Sequence, residues 1–384
     1  MGSVLKPFGV ASCGVVLALA SCQTKSPPEG EGGAATNVSG AAGSEPSTAG
    51  EGAGFSAGNG GGCDPADGST LVEPPPYLLY FSGFEDGRAV NSVAIGDRHV
   101  YWNLNGGRFM RAAKDGSDVT PELFLQCSTC DLMDFLVDAE AAYFLNGAEL
   151  LRVDVDTKAQ RAIALDFDHV GRGALMADDT YLYTAMPGCA AITRIHKQTF
   201  AKEVLPVVGV EYPGAGVTTL DKTGERIVCG SPTQLFVFDS WGTEPRVEHS
   251  GIDVLWGFAM AGEVGYWLEQ PTSSPPPVQI GRLAVTGGQS GLLVQESQAG
   301  HTNRLVFASS IDKVLFGNIA GIRAFDARTE MLGKLVELGR PTDLAVDDEF
   351  VYASVLGRPR RSVGGEDVYN LAYWVARVPL SELE

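Results

Sequence analysis

The segment Phe109-Met110-Arg111-Ala112 sets the period of the whole chain. It returns as Leu150-Leu151-Arg152-Val153, Ile192-Thr193-Arg194-Ile195, Leu235-Phe236-Val237-Phe238, Ile280-Gly281-Arg282-Leu283, Ile322-Arg323-Ala324-Phe325 and Val375-Ala376-Arg377-Val378. The third positions are 111, 152, 194, 237, 282, 324 and 377, so successive copies lie 41, 42, 43, 45, 42 and 53 residues apart. Arg fills five of the seven, mostly between apolar neighbours. A period of about 40–45 residues built from short strands predicts blades of a β-propeller.

Working outward, each copy follows two other strands. Ser92-Val93-Ala94-Ile95-Gly96-Asp97 leads to Val100-Tyr101-Trp102, Phe135-Leu136-Val137-Asp138 to Ala142-Tyr143-Phe144, and Leu175-Met176-Ala177-Asp178 to Tyr181-Leu182-Tyr183. Leu344-Ala345-Val346-Asp347 leads to Phe350-Val351-Tyr352. The Asp suits the turn, because its side chain can bond the local backbone. The aromatic residues are expected to fill the space between blades. A fourth, weaker strand closes each unit. The fold class is therefore all-β: a propeller of seven four-stranded blades spanning residues 75–384. The last blade ends just after its third strand. Tyr77-Leu78-Leu79-Tyr80-Phe81 is expected to supply its missing outer strand, a clasp that removes an open edge.

This grammar of Ala-x-Asp, Tyr-Trp and an apolar-x-Arg-apolar strand resembles the YWTD-type and TolB-like propellers. Tyr101-Trp102-Asn103-Leu104 is a degenerate form of the signature tetrapeptide. Those families usually have six blades, against seven here, and the resemblance lies in structural positions. It implies a fold and no function.

The N-terminus has another character. Residues 1–21 place Lys6 before a short apolar run from Gly14 to Ala20, which is a signal-peptide layout too short to span a bilayer. Leu19-Ala20-Ser21-Cys22 resembles the bacterial lipobox, in which the Cys becomes the first mature residue and carries diacylglycerol and an N-acyl chain. Val10-Ala11-Ser12-Cys13 competes poorly, with almost no apolar run before it. Several acyl chains give stable membrane anchoring, at ~0.8 kcal/mol per buried CH₂. The residue after Cys22 is Gln23, not Asp. By the enterobacterial sorting rule this implies the outer membrane, on its periplasmic or cell-surface side. Residues 22–74 are Gly, Ala, Ser, Pro and Glu with few large apolar side chains, a composition that stays disordered. Such a tether of about 50 residues spans roughly 35–40 Å.

The formal net charge of −19 disfavours nucleic acid and anionic lipid headgroups as partners. Five of the seven cysteines lie beyond the export segment: Cys63, Cys127, Cys130, Cys189 and Cys229. Outside the cytoplasm disulfides persist. Cys127 and Cys130 read as a small structural disulfide, with a redox pair or half a zinc site as alternatives. Cys189 and Cys229 fall near the same end of adjacent blades and are a candidate bridge. Cys63 is the candidate free thiol, since five is odd.

Loops joining second to third strands, and blade to blade, share one face at the channel mouth. Two second-to-third loops are long. Glu269–Val278 is Pro-rich, and Gly357–Asn370 carries Arg358, Arg360 and Arg361. Long loops on a regular scaffold often carry binding. The histidines His99, His169, His196, His249 and His301 have no metal spacing, and no catalytic or cofactor motif is present. The expectation is a monomeric, non-catalytic binding or scaffold lipoprotein that engages an envelope protein or glycan. The alternative is a lyase or hydrolase with its acid and base at the channel mouth.

Overall fold

A computed structural model describes residues 70–71, 77–84 and 90–384, the last range with gaps in its loops. The described residues form seven four-stranded antiparallel sheets and one three-stranded sheet, with only two short 3-10 turns. The seven sheets are the blades of a β-propeller. Their strands fall within residues 90–126, 135–164, 174–206, 219–250, 255–296, 305–337 and 340–379, numbered here as blades 1 to 7. Blade 7 takes its outer strand from Leu78–Phe84, hydrogen-bonded to Ala372–Pro379. This is the expected clasp, and it joins the two ends of the fold in one sheet.

The core is divided as the architecture demands. Seven buried clusters lie at the seven seams between neighbouring blades. Phe109 of blade 1, for instance, packs edge-on against Phe135 and Phe144 of blade 2, at 5.5 and 4.5 Å between ring centroids. Edge-to-face pairs of this kind add roughly 0.5–1.5 kcal/mol beyond area burial. Tyr80 on the clasp strand stacks on Trp102 of blade 1 at 5.4 Å, so closure is fixed by side chains as well as by backbone.

The third-strand register is the one the repeat implies. Arg111 stands opposite Tyr101, Arg152 opposite Tyr143, Arg194 opposite Tyr183, Arg282 opposite Tyr266 and Arg377 opposite Tyr352. In blades 4 and 6 the same positions pair Val237 with Val228 and Ala324 with Leu315. Where the Arg is missing, its Tyr is missing too. Gly281 is required by a large neighbour, since a Cβ there would lie 1.9 Å from the Trp267 ring.

Two expectations change. Gly357–Asn370, read as a loop, contains a β-hairpin, Arg360–Val363 paired with Glu366–Tyr369. The physical reason is visible in the sequence: Gly364-Gly365 is a two-residue hairpin turn signal between two strand-forming runs. Thr70–Leu71, inside the span read as tether, adds to that hairpin as a third strand.

Candidate functional site

The repeated polar residues hold blade to blade. The carbonyl just after the third strand is the common acceptor: Arg111 donates to Val155 of blade 2 and Arg377 to Lys114 of blade 1. The Tyr266 hydroxyl donates to Ala327 of blade 6 at 3.2 Å, and Arg246 to Val285 of blade 5 at 3.2 Å. Arg194 takes a different course. Its guanidinium lies between Tyr181 and Trp241 of blade 4, at 4.7 and 4.4 Å from the ring centroids. Such cation–π contacts contribute about 0.5–2 kcal/mol.

The turn aspartates form a second set of latches. One Oδ of Asp138 accepts the Glu140 and Ala141 amides, and the other takes the Lys197 ammonium of blade 3 at 2.8 Å. Asp178 does the same with the Thr180 and Tyr181 amides and with Lys222 of blade 4. Asp347 does so with the Glu349 and Phe350 amides and with Lys114 of blade 1, at 2.6 Å. Burial opposes ionisation of Asp178, but the Lys222 ammonium and the two amides outweigh it and hold its pKa at about 2. The same balance, burial against Lys197 and Lys114 with their turn amides, leaves Asp138 and Asp347 below the usual carboxylate range. The recess of 390 Å³ lined by Lys114, Asp347, Glu349, Tyr352 and Arg377 is one of these seams, on the face opposite the long loops.

Carboxylates beside the channel are committed in the same way. Asp343 Oδ2 accepts the Val93 amide of blade 1 at 3.0 Å, Asp134 Oδ2 the Leu175 amide of blade 3 at 2.9 Å, and Asp221 Oδ2 the Met260 amide of blade 5 at 2.8 Å. Each ties one innermost strand to that of the next blade. Sequence reading missed all three, because an Asp near a strand start gives no signal until the next blade is in place. Glu269, buried at the head of the Pro-rich loop, accepts the Trp267 indole N–H at 3.0 Å.

The sequence-derived candidates divide sharply. Cys189 and Cys229 form a disulfide across the seam between blades 3 and 4, with Cα atoms 6.0 Å apart and both residues fully buried. Cys127 is disulfide-bonded, and its amide donates to Gly107 at 2.9 Å. Cys22, Cys63, Cys130, Arg358, His169, His301 and residues 270–277 lie outside the described residues. Arg360 and Arg361 sit on the first strand of the blade 7 hairpin. His249 packs on Trp267 at 4.5 Å, and burial lowers its pKa. His99 and His196 lie on blade strands against Tyr101 and Tyr181. Among the described residues no group of three His, Cys, Asp or Glu is placed to hold a metal ion. No helix among them is long and apolar enough to cross a membrane.

The propeller fold recurs in solved structures. The RRP9 WD40 repeats superpose with a TM-score of 0.54 at 11% identity, covering 82% of this chain and 98% of that one. The computationally designed Ika8 protein gives 0.54 at 11% identity, with coverage of 78% and 99%. BamB from Moraxella catarrhalis fits more loosely, at 0.47 and 11% identity over 75% and 85%. At these identities the likeness is one of fold alone. No family model and no curated protein matches the sequence.

Proposed function

We propose that this chain is an exported lipoprotein, lipidated at Cys22, that presents its propeller at the outer membrane as a non-catalytic binding or scaffold module for an envelope protein. The observation that carries the binding reading is the blade 7 hairpin. Of the repeated residues, Arg111, Arg194, Arg282, Arg377, Tyr266, Asp138, Asp178 and Asp347 are engaged in joining blades. The hairpin, by contrast, adds strands that belong to no blade. It sits between the second and third strands of blade 7, so it rises from the loop-rich face, where scaffold folds concentrate binding. Export is supported by the buried Cys189–Cys229 bridge, since structural disulfides are rare in reducing cytoplasm. Anchoring is supported by Leu19-Ala20-Ser21-Cys22 and the polar tether that follows. The same reading groups the chain with YWTD-type and TolB-like propellers, on the strength of Tyr101-Trp102-Asn103-Leu104 in the second strand of blade 1.

Labelling with radioactive palmitate tests the anchor. The unchanged protein takes up label and sediments with membranes, and Cys22→Ala does neither. Persistent labelling of the variant refutes the assignment. Binding is tested by photo-crosslinking from position 368 of the hairpin in intact cells. A discrete crosslinked partner is expected. Crosslinks that appear equally from position 204, on the outer strand of blade 3, would remove the hairpin from the account.

A further inference from the structure

The turns that join first to second and third to fourth strands share the end of the propeller opposite the hairpin. They hold seventeen Asp and Glu against five Lys and Arg, which is twelve of the chain's net 19 negative charges. All five bases are already paired: Lys114 with Asp347, Lys197 with Asp138, Arg98 with Asp156, Lys158 with Glu122 and Arg328 with Asp312. Among the acids, Asp115 of blade 1 and Asp348 and Glu349 of blade 7 are exposed, with no salt-bridge partner among the described residues. All three line the 390 Å³ recess at the closing seam. We propose that this recess and the acidic turns around it are a docking surface for a basic protein partner, with a Lys or Arg side chain of that partner entering the recess.

Shape and lining support a cationic occupant independently of the charge of the face. The volume lies within the range of small-ligand pockets, about 300–1,000 Å³, and has room for a long side chain. Its aromatic rings already carry cations. The Arg377 guanidinium lies over Phe350 at 4.9 Å from the centroid, and the Lys114 ammonium over Tyr352 at 5.9 Å. Such rings attract a cation through their negative faces. These two residents do not neutralise the recess. Its lining sets Asp115, Asp347, Asp348 and Glu349 against Lys114 and Arg377, a net of −2.

The extent of the charge selects a protein. A bare metal ion does not suit the recess, because among the described residues no three carboxylates converge to hold one. The acidic turns run round all seven blades, which matches an extended basic surface better than a small cation. Complementary potentials of this kind steer encounter and set partner choice more than they add affinity. The surface lies on the face opposite the hairpin and adds a second contact to the one proposed there.

The test uses the purified full chain and a fluorescein-labelled peptide of alternating Lys and Gly, read by fluorescence anisotropy. The unchanged chain should bind it, and added salt should weaken binding. Asp115→Asn/Asp348→Asn/Glu349→Gln keeps the acceptor oxygens and removes three charges beside the recess. Affinity should fall about tenfold, since three exposed charge pairs lost together amount to about one decade. Asp179→Asn/Glu225→Gln/Glu244→Gln makes the same change of net charge on the same face, at blades 3 and 4, and should cost less than about threefold. All six residues are exposed, so urea midpoints should be alike for the three chains. The single change Asp348→Lys should weaken binding in the same direction. No binding to the unchanged chain, or equal loss in the two triple variants, overturns the proposal. Spermidine competing at the peptide's own concentration also overturns it, by making the recess a site for small amines. The assay uses neither the palmitate label nor the crosslinks from position 368, so its failure leaves those results standing, and the reverse also holds.

Discussion

Tyr266 and Arg282 show what a single position in the repeat contributes. They face each other across two strands of blade 5, and both reach blade 6: the hydroxyl to the Ala327 carbonyl, the guanidinium to Glu330 at 3.2 Å. Tyr266→Phe keeps the ring and removes one bond between blades. It should cost about 1 kcal/mol in equilibrium urea unfolding, the usual net worth of such a bond. Asp178 makes a pH-dependent contribution. Its folded-state pKa of about 2 lies below the ordinary ~3.9. The carboxylate's stabilisation is therefore complete above about pH 4 and is lost as the pH falls toward 2. In thermal scans from pH 5 to 2, the midpoint of Asp178→Asn should fall less steeply than that of the unchanged protein, and parallel curves would contradict the latch. At Gly281, substitution by Ala forces the Trp267 ring aside and should cost about 1–3 kcal/mol.

At the scale of elements, the seam between blades 3 and 4 is held at both ends. The Cys189–Cys229 disulfide fastens one, and Lys222–Asp178 with Trp241–Arg194 the other. The bridge closes a sequence separation of 40 residues. Cys229→Ser should therefore cost about 2–4 kcal/mol, read as a lower urea midpoint with little change in slope. Strands, turns, clasp and this bridge were legible because each leaves a local mark: Tyr opposite Arg, Asp at a turn, two cysteines at like positions in adjacent blades. The hairpin was legible too, in Gly364-Gly365, but the Arg residues around it drew the reading toward a charged loop. The strand at Thr70–Leu71 was not legible. Two residues carry no periodicity, and its partner lies some 290 positions away. Nor were the catches at Asp134, Asp221 and Asp343, whose acceptors become meaningful only when another blade stands beside them.

For the whole molecule the clasp is decisive, because it turns seven seams into a closed ring. Tyr80 lies at the closing seam, fully buried, with its hydroxyl donating to the Ala113 carbonyl at 2.9 Å. Tyr80→Ala should destabilise by about 3–5 kcal/mol, as large-to-small changes at buried rings do, and should raise protease sensitivity near residues 77–84. The clasp also joins the preceding segment to blade 7, entering at Leu78 opposite Ala376, at the end of the blade away from the hairpin. Anchoring through that segment depends on processing at Cys22. The direct test is the intact mass of the protein extracted from membranes of the cell that makes it. The account predicts a chain that begins at Cys22 and carries a diacylglycerol and an N-acyl group. A mass matching unacylated chain, begun at Met1 or at any other residue, would contradict it.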